Sequence, residues 1–356
     1  MPNSSEIDES PSGASLGLMV ATSFQILFGI MGLLGNSVCF VVLRRQSLKN
    51  HTNWLIVNQC TADLLTSIVL ILVVVQLHWF TLPPNLGYLG SQLYCRLWDS
   101  RILIFSGFST STFNLVIISV ERYVAVVHPM LYVTRIKRKT MYVLAVTAWL
   151  TAPTLQIVLA ITQFDYRGGR CVVIDRGPAV GVALFLWEYF FPVVIMGFSF
   201  VRIAARLYSL NRVSTAVTDD TDASTAANGT QPSNLPSGPE PTSVAPVSTN
   251  GSRTGPAPAP ANPTMQECRN VRRRNITVTL LIIYLTYLVC WTPNQIVFLA
   301  FNFGVLPNYI GSTGHIITTI LATLNICVNP IVYAVRYKTF KKGLRNFVFR
   351  CLRLQE

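Results

Sequence analysis

The sequence predicts an all-α membrane protein, in which seven transmembrane helices form a bundle and a short amphipathic cytoplasmic helix follows. The first observation is the composition: 51% of the 356 residues are hydrophobic and 12% are charged, with a mean hydropathy of +0.45. A soluble domain has about 25% charged residues, so most of this chain is expected to lie in lipid. The second observation is a set of seven apolar runs, each near the roughly 20 residues that a helix needs to cross the hydrocarbon core.

The seven runs set the order of the helices. The second, third and seventh contain internal polar residues, which blur their ends by several positions. The predicted spans are 17–43, 52–79, 96–127, 140–163, 178–208, 275–302 and 309–335.

Loop charges orient the bundle. Of the 28 Lys and Arg residues, 23 lie in 44–49, 122–139, 202–274 and 336–353, and the other five lie on the opposite side. Because basic loops stay in the cytoplasm, we expect a multi-pass plasma-membrane protein with an extracellular N-terminus. The net charge of +13 is then a topology signal, and no nucleic-acid partner is expected.

Composition also divides the chain into parts. Residues 214–265 are rich in Ser, Thr, Pro, Ala and Gly and contain no aromatic residue, which is typical of disorder. After the last span, aromatic and basic residues alternate at helical spacing, which favours a helix lying on anionic membrane lipid. The predicted parts are an extracellular tail (1–16), spans one to five (17–209), a disordered third cytoplasmic loop (210–271), spans six and seven (272–335), and an amphipathic helix with the cytoplasmic tail (336–356).

The topology also limits the covalent modifications. Cys95 and Cys171 are the two cysteines on the extracellular side, so a disulfide, if one forms, joins these two. It would connect the top of the third span to the loop before the fifth. Asn3 is the well-placed glycosylation acceptor. Cys351 follows the amphipathic helix and is a palmitoylation candidate, with an unmodified tail cysteine as the alternative.

An acidic residue lies in the middle of the second span. A charged side chain in the hydrocarbon core is costly and usually functional. Asp63 could find partners on neighbouring helices in Asn36, Ser111, Asn325 and Asn329. This cluster predicts a water or Na⁺ site, with Asp63 as the candidate Na⁺ ligand, and no other cofactor is expected.

Prolines interrupt three of the spans. Pro192, Pro293 and Pro330 each remove one backbone donor, which is tolerated where a neighbouring helix or water supplies another. A single proline in a span is more often a packing feature than a mechanism. Three in one bundle indicate helices that are built to bend.

Three motifs carry a family resemblance. The chain reads "ERY" at 121–123, "CWTP" at 290–293 and "NPIVY" at 329–333. Together with Asn36, Asp63, Trp149 and Pro192, these residues resemble the rhodopsin-like G-protein-coupled receptors over nearly the whole chain outside 214–265. The resemblance implies a seven-helix bundle that binds an extracellular ligand and activates a heterotrimeric G protein.

The resemblance also assigns roles to residues. It implies that Glu121 holds Arg122 in the resting state and that Arg122 contacts the G protein in the active state. The implied G-protein coupling switch comprises Glu121, Arg122, Tyr123, Pro129, Met130, Asn329, Pro330 and Tyr333. The implied activation toggle comprises Trp291, Pro293 and Pro192.

Three departures from the family pattern stand out. The base of the sixth span, "RNVRRRN", has no acid that could pair with Arg122, and Phe200 stands where many members have a tyrosine. Cys95 precedes Arg122 by 27 residues, about two more than is usual in the family. We therefore expect the top of the third span to be displaced or bulged.

The ligand class is inferred from the outer half of the bundle. Many amine receptors of the family carry an aspartate in the third span. The matching position here is Ile102 when counted from Cys95, or Ile104 when counted from Arg122. Neither side chain can pair with an ammonium group, so an amine ligand is disfavoured. A polar pocket of mixed charge favours a short, neuropeptide-like ligand, and Arg101 is the expected partner or rival of Glu188. The predicted pocket residues are Gln76, Arg101, Phe105, Glu188, Asn294, Gln295 and His315.

Other functions are weighed against this one. A receptor of the same family for a non-peptide small molecule or a lipid is the main alternative. A transporter or channel is less favoured because the chain shows no internal repeat. An intramembrane enzyme is disfavoured because the four histidines lie at span ends or in loops.

Regulatory partners are predicted from hydroxyl residues. The stretch 214–254 is rich in Ser and Thr, whereas 336–356 contains only Thr339. We therefore expect receptor kinases to phosphorylate the loop and arrestin to recognise it.

Overall fold

The structure is a computed structural model that describes residues 11–45, 51–79, 87–174, 177–227, 265–306 and 312–353. Nearly all of the regular structure in this part of the chain is helical. The α-helices are α1 (Pro11–Arg44), α2 (His51–Trp79), α3 (Gly87–Leu93), α4 (Ile102–Val127), α5 (Pro129–Arg135), α6 (Arg138–Gln163), α7 (Pro178–Phe185), α8 (Phe191–Ala227), α9 (Met265–Asn302), α10 (Thr313–Arg336) and α11 (Lys338–Arg353). Two π-helical segments, Tyr94–Asp99 and Leu186–Phe190, and two strands, β1 (Phe164–Arg167) and β2 (Arg170–Val173), complete the described structure.

In the described part of the chain, seven helical stretches are long and apolar enough to cross a membrane, which confirms the predicted fold class. They are Leu16–Arg44, His51–Leu77, Gly87–Val127, Arg138–Gln163, Pro178–Leu210, Arg274–Asn302 and Thr313–Arg336. Large apolar side chains such as Leu150, Val201 and Val289 point outward, whereas many polar side chains are buried between the helices. This distribution suits a lipid environment, where outward-facing apolar groups carry no penalty.

The third span begins at residue 87 and is broken near its outer end. The helix changes from α-helical to π-helical at Tyr94, stops at Ser100 and restarts at Ile102. Arg101 lies between the two parts with a φ of 57°, the only positive value among the described non-glycine residues. The π-helical turn and this break take up the extra residues between Cys95 and Arg122, so the predicted bulge is confirmed.

Helix packing places α4 in the interior of the bundle. It packs against α2 and α6, while α1 packs against α2 and α10. Helices α8 and α9 meet through aromatic residues: the rings of Phe200 and Tyr284 stack at 5.4 Å, and the Tyr284 hydroxyl donates to the Val193 carbonyl. The position that lacks the family's tyrosine is thus filled by a buried aromatic contact.

A two-stranded hairpin lies between α6 and α7. Gly168 and Gly169, both at positive φ, form the two-residue turn that joins β1 and β2. Cys171 in β2 forms a disulfide with Cys95 in the π-helical turn, with Cα atoms 5.4 Å apart. The predicted pairing is confirmed, and it ties the hairpin to the third span.

The helices beside the long loop extend further than predicted. The chain divides into two compact units, Met1–Ala204 with Asn275–Glu356, and Ala205–Arg274. Helix α8 runs to Ala227 and α9 starts at Met265. The predicted disorder of 210–271 stays a prediction. The sequence from 210 to 227 contains no Gly or Pro, the two residues that interrupt a helix most strongly.

The helix after the seventh span is amphipathic, as predicted. Tyr337 and Phe340 are buried, whereas Lys338, Lys341 and Lys342 are exposed. Asn3, most of the predicted loop and the side chain of Cys351 lie outside the described residues, so their modification stays a prediction.

Candidate functional site

The bundle has two ends that differ in chemistry. We call the end with the Cys95–Cys171 bond the disulfide end, and the end with Arg122, α5 and α11 the basic end. Charge placement predicts that the basic end faces the cytoplasm.

A buried ion pair lies at the basic end. The Arg122 Nε donates to the Glu121 Oε2 over 2.6 Å, and Arg122 Nη2 contacts Oε1. The Tyr132 hydroxyl donates to Glu121 Oε1 over 2.7 Å, and Thr52 Oγ1 lies 3.5 Å from Oε2. Removing one member of such a pair would leave a buried charge uncompensated. The arrangement therefore matches the resting pair that the "ERY" motif implies.

Tyr132 and Thr52 were not predicted from the sequence. Tyr132 lies in the short helix α5, which Pro129 starts at the first helical position. Burial, then the negative charge of Glu121, raises the pKa of the Tyr132 phenol, so it remains a donor at neutral pH. The spacing of eleven residues from Glu121 gives no signal of this contact, because it depends on how α5 folds back.

The other predicted members of the switch occupy different positions. Met130 is 78% exposed, which leaves it available to a partner protein. The Tyr123 hydroxyl lies 3.1 Å from His128 Nε2. Tyr333 is fully buried, and its hydroxyl has no hydrogen-bond partner among the described residues.

Helix α1 supplies a hydrogen-bond donor at the proline of the "NPIVY" motif. Pro330 has no N–H to donate to the Ile326 carbonyl, and Asn36 Nδ2 donates to that carbonyl instead, over 3.0 Å. Gly35 allows this approach, since a Cβ there would lie 3.1 Å from the Pro330 ring. Asn36 was expected to be a partner of Asp63, and this expectation is corrected: its amide bonds the Ile326 and Gly32 carbonyls.

Asp63 is buried in a cluster of hydrogen-bond donors. Ser111 Oγ donates to Oδ1 over 2.7 Å, and Asn329 Nδ2 donates to Oδ2 over 2.9 Å. Gln59 Nε2 lies 3.3 Å from Oδ1 and 3.2 Å from Oδ2. Two of the predicted partners thus bond the carboxylate, whereas no hydrogen bond joins it to Asn325 in the described structure. Gln59 was missed, although it precedes Asp63 by one helical turn.

The cluster continues through side-chain amides to α6. Asn114 Nδ2 donates to Gln59 Oε1 over 2.7 Å, and Asn58 Nδ2 donates to Asn114 Oδ1 over 2.9 Å. The Trp149 indole N–H donates to Asn58 Oδ1 over 3.0 Å. We call Trp149, Asn58, Asn114, Gln59 and Asp63 the amide relay. It joins three helices, α2, α4 and α6, through one directed chain of hydrogen bonds.

A cation fits this arrangement poorly. Na⁺ would need oxygen lone pairs that point at it, but both carboxylate oxygens of Asp63 accept from N–H or O–H donors. The Ser111 hydroxyl oxygen also receives a contact from Gln59 Nε2. The residues at Asp63 therefore do not fit the bound Na⁺ that the sequence suggested. The described residues also contain no group of three or more His, Cys, Asp and Glu side chains that could hold a metal ion.

The predicted toggle lies at the prolines of α8 and α9. Pro192 cannot donate to the Glu188 carbonyl, and the Tyr287 hydroxyl of α9 donates to it over 3.2 Å. Trp291, two residues before Pro293, is buried with its ring edge-on to Phe108 at 5.0 Å. The structure thus connects the Pro192 site of α8 to an aromatic residue of α9.

Towards the disulfide end, Glu188 is held by neutral partners. Ser109 Oγ donates to its Oε1 over 2.6 Å, and Gln156 Nε2 contacts the same oxygen. The expected pairing with Arg101 is wrong: Arg101 is exposed, and no salt bridge joins the two described side chains. Arg101 precedes Ser109 by eight residues, or about 12 Å along a helix, so it lies nearer the helix end than the acid.

The remaining predicted pocket residues are spread over the disulfide end. Gln76 Oε1 accepts from the Trp98 indole over 3.1 Å, and Arg101 lies within electrostatic reach of His315. Phe105 is exposed, Asn294 is half-buried and Gln295 is buried. Whether these side chains touch one ligand stays a prediction.

The hairpin is docked on the disulfide end by more than the disulfide. Gln92 Nε2 donates to Asp165 Oδ1 over 2.8 Å, and Arg167 Nε donates to Oδ2 over 2.6 Å. These bonds, the one from Gln92 first, lower the pKa of the Asp165 carboxyl. It is therefore ionised at neutral pH, where it also pairs with Arg96 at 3.6 Å.

Seven membrane-crossing helices, a disulfide-tied hairpin at one end and a buried Glu–Arg pair at the other define a multi-pass membrane receptor. A sequence model of the family described as 7 transmembrane receptor (rhodopsin family) matches residues 35–333. The chain belongs to this family, whose members are receptors and not enzymes.

Several receptors are similar to the chain over most of its length. Galanin receptor 2a of Danio rerio is 24% identical over 346 residues, covering 94% of this chain and 78% of that receptor. Neuromedin-U receptor 2 of Rattus norvegicus is 23% identical over 354 residues, covering 95% and 77%. Allatostatin-A receptor of Bombyx mori is also 23% identical over 354 residues, covering 95% and 82%.

Proposed function

We propose that the protein is a plasma-membrane receptor with an extracellular N-terminus, which binds a short peptide at its disulfide end and activates a heterotrimeric G protein at its basic end. The observation that carries the proposal is the closed Glu121–Arg122 pair in a chain of this family. Opening this pair frees a guanidinium for a partner protein, and a ligand that favours the open arrangement would act as an agonist.

Support for a peptide ligand comes from the relatives. The receptors for galanin, neuromedin U and allatostatin A are neuropeptide receptors, and each matches more than nine-tenths of this chain.

We assign Glu188 as the anchor for a basic group of the peptide. Its carboxylate is buried with the neutral donors of Ser109 and Gln156. A cationic donor makes a stronger hydrogen bond to a carboxylate than a neutral amide does. A Lys or Arg side chain, or an N-terminal ammonium, would therefore gain by displacing the Gln156 amide.

The test is a peptide-library screen in cells that carry a promiscuous G-protein reporter. For the peptides that activate, we expect Arg122→Ala to abolish signalling when cells with equal amounts of surface receptor are compared, because the freed guanidinium is missing. Glu188→Gln should raise the half-maximal concentration at least about tenfold, the effect of losing roughly 1.4 kcal/mol of charge-assisted binding.

A matched control separates the anchor from general charge loss. Asp99→Asn removes an exposed acid at the same end and should leave the response unchanged. Signalling by Arg122→Ala at normal potency would contradict the coupling role. If peptides activate Glu188→Gln and Asp99→Asn with equal potency, Glu188 is not part of the ligand site. The proposed receptor function would still stand.

We further propose that receptor kinases and arrestin act on the segment 214–254, between the fifth and sixth spans. The Ser and Thr residues of 214–254 support this, since the tail from 336 to 356 has Thr339 alone. Anionic lipid is the expected partner of the basic face of α11.

A further inference from the structure

The amide relay has a fixed direction, which follows from its two ends. The Trp149 indole can only donate, and an ionised Asp63 can only accept. Side-chain amides could otherwise be placed in either of two orientations. Because the indole donates to Asn58, each amide in turn must present its oxygen towards Trp149 and its nitrogen towards Asp63.

The relay therefore delivers N–H groups to the carboxylate. Gln59 Nε2 lies within 3.3 Å of both Asp63 oxygens and also contacts the Ser111 oxygen. These three oxygens are the ones a cation beside Asp63 would have to share. Gln59 and Asn114 are fully buried, so Gln59 cannot swing into solvent to clear the position.

A cation attracts a carboxylate more strongly than a neutral amide does, so its exclusion depends on the cost of displacing the buried Gln59 amide. A buried carboxylate is stable only when its lone pairs are satisfied. Gln59, Ser111 and Asn329 already do this with neutral donors from α2, α4 and α10. Na⁺ binding would require Gln59 Nε2 to leave, which would break the relay at its last step and leave buried amide groups unpaired.

We propose that Gln59 stands in place of a cation at Asp63, so that the receptor binds no Na⁺ there and its stability is independent of Na⁺. The exclusion of Na⁺ depends on one residue, Gln59. Replacing the Gln59 amide with an apolar side chain of similar size would expose the Asp63 and Ser111 oxygens to a cation.

The test measures thermal unfolding of the purified full chain in detergent, in 150 mM NaCl, KCl or N-methylglucamine chloride. We expect the wild-type midpoint to be the same in the three salts. Gln59→Met should gain a midpoint about 2–4 °C higher in NaCl, because a ligand that binds only the folded state raises its stability. Gln59→Met combined with Asp63→Asn should lose this gain, since no carboxylate remains.

Each outcome decides the proposal. A Na⁺-specific rise in the wild type that Asp63→Asn removes would overturn it. So would a Gln59→Met protein that folds and shows no response to Na⁺, because the glutamine would then not be what excludes the cation. If Gln59→Met does not fold, Gln59→Leu provides the same comparison, and broadening of the ²³Na resonance by wild-type protein provides a direct readout.

Discussion

Individual residues hold the resting arrangement at the basic end. Glu121 is almost completely buried, and a carboxylate in that position needs each oxygen satisfied. Arg122 contacts both oxygens, while Tyr132 supplies a second donor to Oε1. Because Tyr132 comes from α5, the pair is sensitive to the position of the same short helix that exposes Met130 to a partner.

Tyr132→Phe tests this sensitivity. The change removes one hydroxyl from a buried ionised acceptor and leaves the ring in place. Losing such a bond costs about 1 kcal/mol, which would shift the resting-to-active equilibrium about fivefold. We expect a corresponding increase in ligand-independent nucleotide exchange by an added G protein, measured with purified receptor.

The control is Tyr142→Phe, because Tyr142 is an exposed tyrosine whose ring packs on Trp54 in the bundle. It should leave basal exchange unchanged. A Tyr132→Phe receptor with wild-type basal exchange would mean that this hydrogen bond is equally strong in both states.

At the scale of elements, the prolines of this bundle are paired with donors from neighbouring helices. Asn36 of α1 donates to the carbonyl that Pro330 leaves without a backbone donor. Tyr287 of α9 donates in the same way to the carbonyl that Pro192 leaves without one. Each proline site is thereby hydrogen-bonded to a neighbouring helix. The prolines are not simply weak points, because the movement of one helix requires its neighbour to release a bond.

A double-mutant cycle measures one of these ties. Tyr287→Phe leaves the Glu188 carbonyl without its donor and should lower the unfolding midpoint by about 2–4 °C. In a Pro192→Ala background the new backbone N–H can serve that carbonyl. The same Tyr287→Phe change should then cost clearly less, and the difference is the coupling between the two sites.

Equal costs in both backgrounds would show that the Tyr287 hydroxyl does not depend on Pro192. Thermal unfolding of the four purified proteins in one detergent is sufficient to decide this.

The sequence could predict features that depend on composition or on spacing along one element. Hydropathy predicted the seven spans. The spacing of 27 residues from Cys95 to Arg122 predicted the bulge, which the structure shows as a π-helical turn. Features that depend on the depth and rotation of neighbouring helices were missed. Arg101 and Glu188 looked like partners from their types, yet they lie at different depths in the bundle.

The amide relay shows the same limit. Gln59 lies in the same helix as Asp63, one turn before it, so this contact could have been read from the spacing. The position of Asn36 could not, because packing of Gly35 against Pro330 places its amide at the Ile326 carbonyl and not at Asp63.

At the scale of the whole molecule, α4 connects the sites. Ser109 contacts Glu188, Ser111 contacts Asp63, and Arg122 forms the pair at the basic end. Thirteen residues separate Ser109 from Arg122, or about 20 Å of continuous helix. A ligand that draws on Glu188 therefore acts on the same rigid element that carries the switch residue.

Shut-off of the receptor belongs to the same scale, because its proposed sites lie outside the compact unit that contains the polar core. Each phosphate adds about −1.5 to −2 charges, which a basic partner such as arrestin can recognise. Hydroxyl residues are concentrated in 214–254, whereas the tail offers Thr339 between basic residues.

Replacing the Ser and Thr residues of 214–254 with Ala should therefore abolish the recruitment of arrestin in response to a peptide agonist and leave G-protein activation intact. Thr339→Ala is the matched control and should recruit arrestin normally. Phosphopeptide mapping after agonist would contradict the proposal if the phosphates were confined to the tail.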